Sequence, residues 1–107
     1  MRESFKSVSD AARFSAEKAA KADLFGGERL FVGLNCFEAG QAQKVHAHDG
    51  ADKFYYVCSG RARLTVGDTT REVTPGAIVW APAGVPHGVE EALERTVLLV
   101  GIAPPPR

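Results

Sequence analysis

Net charge is the first thing this sequence lacks. Thirteen basic residues meet thirteen acidic ones, with eight of each sign through Lys53 and five of each after it. A chain without a basic stripe has no electrostatic footprint for nucleic acid or an anionic membrane, so neither is an expected partner. Long apolar runs are also missing: no stretch is long enough to span a bilayer, and the start, Met-Arg-Glu-Ser-Phe-Lys-Ser, lacks the apolar segment of a signal peptide. The expected location is therefore the cytoplasm. Cysteine is scarce, with only Cys36 and Cys58, which excludes a disulfide scaffold. Both lie in apolar strand-like runs and are expected to be reduced packing residues. No internal repeat or low-complexity segment interrupts the chain.

What is present is an ordinary apolar share, 45%, in a 107-residue chain, enough for one hydrophobic core. Residues 1–27 differ from the rest. A cap at Ser7 or Ser9 followed by a proline-free, alanine-rich run from Asp10 to Phe25, with Gly26-Gly27 after it, predicts a helical arm. Its apolar face is mostly alanine with Phe14, Leu24 and Phe25, so it is expected to dock lightly on something larger.

From Glu28 the period becomes two, and residues 28–107 read as one β domain. Strands are predicted over Leu30–Phe37, Gln43–His48, Lys53–Cys58, Arg61–Val66, Thr70–Thr74, Ala77–Ala81 and Thr96–Ile102. Gly40, Asp49-Gly50, Ser59-Gly60, Gly67-Asp68, Pro75-Gly76 and Pro82-Ala-Gly84 supply the turns. His87-Gly-Val follows the last of these, and Glu90 to Glu94 reads as an acidic link. The proline-rich tail cannot join a ladder interior and is expected on the surface. Short strands at regular spacing argue an all-β antiparallel sandwich or barrel.

His46 and His48 are separated by one residue, so in an extended segment both imidazoles share one face, half of a metal site. A third, His87, follows a Pro-Ala-Gly-Val-Pro corner. Spacing carries the comparison further. Gly40, five residues, His46-Ala-His48, four residues, Lys53, six residues and Gly60 form one block. Gly76, five residues, Pro82-Ala-Gly84, two residues, His87, three residues and Glu91 form a second. Together they cover residues 40–91, and the chain resembles the cupin superfamily, small single-domain cupins in particular. The resemblance implies an antiparallel jelly-roll β-barrel, here with a short N-terminal helical arm, and a divalent metal held by His46, His48 and His87. Three imidazoles suit Zn, Mn, Fe, Ni or Cu.

Two positions depart from the family pattern. Glu91 stands where the second motif has asparagine, in what reads as a loop. Lys53 stands where the first motif has a glutamate ligand. An ammonium about 4 Å from a divalent ion would be repelled by about 8 kcal/mol at an effective dielectric near 20. A protonated Lys53 must therefore lean to the rim, pair with Asp49 or Asp52, lose its proton, or sit in a site without metal. Asp52 also fits the shorter motif spacing, but a one-residue offset turns it to the other face unless the strand bulges. Gln43 is a weaker fourth-ligand candidate, because a regular strand alternates it away from His46.

Parity places Lys53, Tyr55 and Val57 on one face of their strand and Phe54, Tyr56 and Cys58 on the other. Trp80, Phe31 and Phe37 are expected to pack in the core. Three functions are then open, one of them a barrel whose site is vestigial and whose role is to build an oligomer. Another is a metal-dependent oxygenase or isomerase acting on a small organic molecule, with Lys53 or Tyr55 as proton donor. The third is a non-enzymatic barrel for an anionic ligand or sugar, with Lys53 as counter-charge. Open sheet edges and the N-terminal arm make a homodimer the expected assembly.

Overall fold

A computed structural model describes residues 3–47 and 49–106. Nine strands follow a single helical turn, α1 (Val8–Ala11): β1 (Ala20–Gly26), β2 (Phe31–Phe37), β3 (Gln43–His46), β4 (Asp52–Ser59), β5 (Ala62–Val66), β6 (Thr69–Val73), β7 (Ile78–Ala81), β8 (His87–Ala92) and β9 (Thr96–Ala103). They form a five-stranded sheet in the order β1-β2-β9-β4-β7 and a four-stranded sheet in the order β3-β8-β5-β6. All seven strand pairings are antiparallel. The turn spacing anticipates the antiparallel strands, and the cupin resemblance the jelly-roll barrel they form.

The long helix expected over residues 10–25 is not formed. Among the described residues only Val8–Ala11 is helical, and Ala20–Gly26 is a strand. Across that strand Ala22 and Leu24 are buried while Lys21 and Asp23 are exposed. Two-residue alternation, with a sheet edge to pair against, overrides the helix propensity of lysine and alanine. The expected arm thus contributes an edge strand to the barrel. The acidic link is likewise a strand: β8 continues through Glu90 and Glu91 to Ala92, beside β5. Arg63 of β5 holds both glutamates, bonding Glu90 at 3.1 Å and reaching Glu91 with its other nitrogen. Glu91 is therefore an ion-pairing strand residue and not a loop residue.

Two apolar clusters lie on opposite faces of the five-stranded sheet. Between the sheets, Phe37, Tyr55, Val57, Leu64, Val89 and Leu98 form the barrel core. On the outer face, Leu24, Leu34, Cys36 and Val97 pack under Val8, Ala11 and Phe14 of the N-terminal segment. Parity assigns the β4 faces as anticipated, with Lys53, Tyr55 and Val57 all buried. Trp80, expected in the core, instead projects outward from edge strand β7 and is 57% exposed. Cys36 and Cys58 are free. Their strands are separated by β9, about 10 Å across, too far for a disulfide without backbone movement. Among the described residues no helix is long and apolar enough to cross a membrane.

Candidate functional site

The site begins with an irregularity in β3. Gln43 stands opposite Val89 and His46 opposite His87, so three steps on β3 match two on β8. Such a bulge inserts one residue and cancels the alternation that would separate Gln43 from His46. Gly88 makes room for it. A Cβ there would lie 2.7 Å from the Gln43 carbonyl oxygen and 2.9 Å from Val45 Cα, both backbone atoms. The expectation that Gln43 points away from the histidine face is therefore corrected: Gln43 and His46 line the same cavity.

His46 and His87 meet across this pairing, with ring centroids 4.7 Å apart and planes tilted by 58°. Each ring is tethered through Nδ1, His46 to the Lys44 carbonyl at 2.8 Å and His87 to the Val85 carbonyl at 3.0 Å. A carbonyl oxygen only accepts, so Nδ1 carries the proton in each case and Nε2 of the neutral ring carries the lone pair. The Pro82–Pro86 corner builds the second tether. Gly84 takes a φ of +80°, and Val85 N–H donates to the Pro82 carbonyl at 3.1 Å. His48 lies outside the described residues.

Tyr55 is fully buried against this pair, its ring edge-on to His87 at 6.2 Å. Its hydroxyl donates to Gln43 Oε1 at 2.7 Å. Burial pushes the phenol pKa well above its usual value, so Tyr55 stays protonated. Lys53 lies two residues earlier on the same face, 4% exposed, with Nζ 4.6 Å from the Tyr55 ring centroid. Burial first, and the charge of Lys21 second, bring the lysine pKa down from 10.5 to about 8. Among the described residues Lys53 makes no ion pair. Of the sequence-based alternatives, leaning to the rim and pairing with Asp49 or Asp52 are both set aside. Asp52 is turned outward, as its parity requires, and accepts the Ala83 N–H at 2.9 Å.

Of these side chains, Gln43, His46 and Lys53 border a cavity of about 950 Å³ between β1, β2 and β3, with Tyr55 and His87 packed behind them. Lys21, Lys44 and Lys53, with Asp23, Asn35, Gln43 and His46, supply its polar wall, and Phe31, Phe37 and Val100 part of its apolar wall. Lys21 and Asn35 were missed by sequence reasoning. Lys21 falls in the stretch whose composition predicts a helix, although its alternation with Ala22 and Leu24 carries a strand signal. Asn35 interrupts an apolar run on the parity of Phe31 and Phe37, which marks it as inward-facing.

The metal expectation can be set against this donor set. The tethered imidazoles fit, because a ligating histidine ordinarily donates its other ring N–H to a carbonyl or carboxylate. Lys53, at the position of the expected carboxylate, does not fit while protonated. Among the described residues no three His, Cys, Asp or Glu side chains form a group able to hold an ion.

Fold and site together define an antiparallel double-sheet barrel with a histidine pair and a buried lysine inside it. Residues 33–101 match the Cupin domain family, and the chain belongs to that family. It is 38% identical over 93 residues to the uncharacterized protein SCO3923 of Streptomyces coelicolor, covering 85% of this chain and 86% of that one. The crystal structure of TT1209 from Thermus thermophilus is 42% identical with a TM-score of 0.91, covering 97% of this chain and 100% of that one. An RmlC-like cupin protein from Desulfovibrio desulfuricans is 29% identical with a TM-score of 0.84, covering 99% and 100% respectively.

Proposed function

We propose that this barrel binds a small organic anion, with Lys53 as its counter-charge. The observation that carries the reading is the burial of Lys53 on the cavity wall, within the field of Lys21 and without a carboxylate partner among the described residues. An ammonium held out of water is costly unless it is compensated, and a ligand carboxylate is the compensation that the wall itself does not provide. Tyr55 offers the lysine its ring face, a weaker substitute for an anion. At neutral pH Lys53 is still mostly protonated and suited to this role.

A second reading rests on the Nδ1 tethers of His46 and His87. In it His46, His48 and His87 hold a divalent ion, which would supply Lewis-acid chemistry of the oxygenase or isomerase kind. Lys53 or Tyr55 would then be the neighbouring proton donor.

One experiment separates the two. Thermal unfolding is followed with a panel of small carboxylates, with and without chelator, for the wild type and Lys53→Ala. The anion reading expects stabilisation by at least one carboxylate that survives chelator and vanishes in Lys53→Ala. Stabilisation abolished by chelator alone would overturn it in favour of the metal reading, and His46→Ala should then lower bound metal in protein purified without an affinity tag.

A further inference from the structure

The outer faces of the two sheets differ in chemistry. On and beside the four-stranded sheet, Arg61 and Arg63 meet Glu72, Glu90, Glu91 and Glu94 in surface ion pairs, as suits a face in water. The five-stranded sheet is built otherwise. One row across it runs Trp80, Phe54, Gly101, Val32 and Phe25. The next runs Ile78, Tyr56, Leu99, Leu34 and Ala22. Neither row holds a charged residue. Alternation puts both on the side away from Lys53, Tyr55 and Val57, hence outside the barrel.

The N-terminal segment covers one end of this face. Val8, Ala11, Ala12 and Phe14 pack there against the cluster of Ala22, Leu24, Leu34, Cys36 and Val97. At the other end, on β4 and β7, Tyr56, Ile78 and Trp80 are left 39%, 69% and 57% exposed. Ile78 and Trp80 belong to an edge strand, and Ala77 to Ala81 carry none of the charges that ordinarily guard an edge. The patch is also flat. A Cβ on Gly101 would collide with the Phe54 ring, so that ring lies down across β9.

Three observations select the occupant. A flat sheet face suits another sheet face stacked about 10 Å away, whereas a docked helix needs a groove. The patch has no charge with which to choose a charged partner, and a chain of zero net charge does not repel its own copy. Tyr56, Ile78 and Trp80 together expose on the order of 350 Å², close to half of the roughly 800 Å² that each partner gives to a standard interface. Phe54 and the exposed Thr74 and Pro75, which lead into β7, extend that area.

We propose that the chain forms a dimer of identical faces through β4 and β7, with Ile78 and Trp80 of each copy packed on the same patch of the other about a twofold axis. The cavity opens on the other side of this sheet, so the inference does not rest on the anion reading.

Trp80 is the only tryptophan, so its fluorescence reports the interface. The full chain is followed by sedimentation velocity over a wide dilution series, with emission wavelength and acrylamide quenching recorded at each step. Twice the chain mass is expected at high concentration, giving way on dilution to a monomer whose emission is red-shifted and more easily quenched. Ile78→Lys and, by sedimentation alone, Trp80→Lys are each expected to weaken association by about 30-fold or more, as for a central interface contact. Both positions are exposed in the single chain, so neither change enters its core. Thr70→Lys, exposed on the other sheet, should leave association unchanged. A chain that stays monomeric throughout overturns the dimer. In that case a shielded Trp80 would mean that a segment of this chain covers the patch, and an exposed one that the partner is a different protein. A dimer that both lysine variants retain at wild-type affinity also overturns it, because the copies would then meet elsewhere.

Discussion

Lys53 is the residue where stability and the proposed anion site oppose each other. Its pKa in the folded barrel, about 8, lies below the 10.5 of a solvated lysine. Between those values the unfolded chain binds more protons than the native one, so native stability rises with pH across that window. Below pH 8 the charged lysine imposes its full penalty, on the order of 3 kcal/mol from the size of the shift. Lys53→Met should therefore raise unfolding free energy at pH 7 by up to about 3 kcal/mol. It should also abolish the increase between pH 8 and 10.5, as urea titrations at several pH values would reveal. A variant no more stable than wild type, with the pH slope retained, would show that burial is not what shifts the amine. The same variant is expected to lose anion binding. Gln43 makes the complementary case: Gln43→Leu leaves the Tyr55 hydroxyl without its acceptor inside the barrel and should cost about 1–3 kcal/mol, measured by the same titration.

At the level of elements, the site depends on how β3 approaches β8. The Gly88→Ala methyl would overlap the Gln43 carbonyl oxygen and Val45 Cα, and neither backbone atom can rotate aside. Overpacking of this kind typically costs about 1–3 kcal/mol. The expected result is a lowered denaturation midpoint together with altered histidine ring resonances in NMR, because His46 and His87 are held together by the displaced segment. Unchanged resonances would mean that the bulge does not position the rings. This dependence also explains what could be read in the sequence. The glycine, histidine and proline spacing identifies the barrel and places His87 at its corner, since turns and alternation are local. The bulge is not local: residues 43–46 alone look like a regular strand, and the room for an extra residue comes from Gly88 across the ladder. The strand character of β1 was hidden for a related reason. Alanine and lysine favour a helix in isolation, and only pairing with β2 makes the alternation of Lys21 to Leu24 decisive.

For the whole molecule, the five-stranded sheet separates two cores with different duties. The inner one shapes the cavity, whereas the outer one is closed by the N-terminal segment. Phe14 is part of that closure and lies beneath the Arg95 guanidinium, 4.1 Å from its ring centroid. Arg95 is itself held by Glu38, through two hydrogen bonds of 2.8 Å, so the lid over the outer core is fixed from the turn after β2. Phe14 is only partly buried, so Phe14→Ala should cost less than removal of a fully buried phenylalanine, about 2 kcal/mol. None of this touches the polar wall of the cavity. The variant should therefore unfold at a lower denaturant concentration while its native form binds carboxylates with wild-type affinity, as titration well below the unfolding transition would measure. A loss of affinity matching the loss of stability would mean that the two faces of the sheet are coupled, with Leu34 and Asn35, adjacent in β2 and pointing to opposite cores, as the point where the coupling passes.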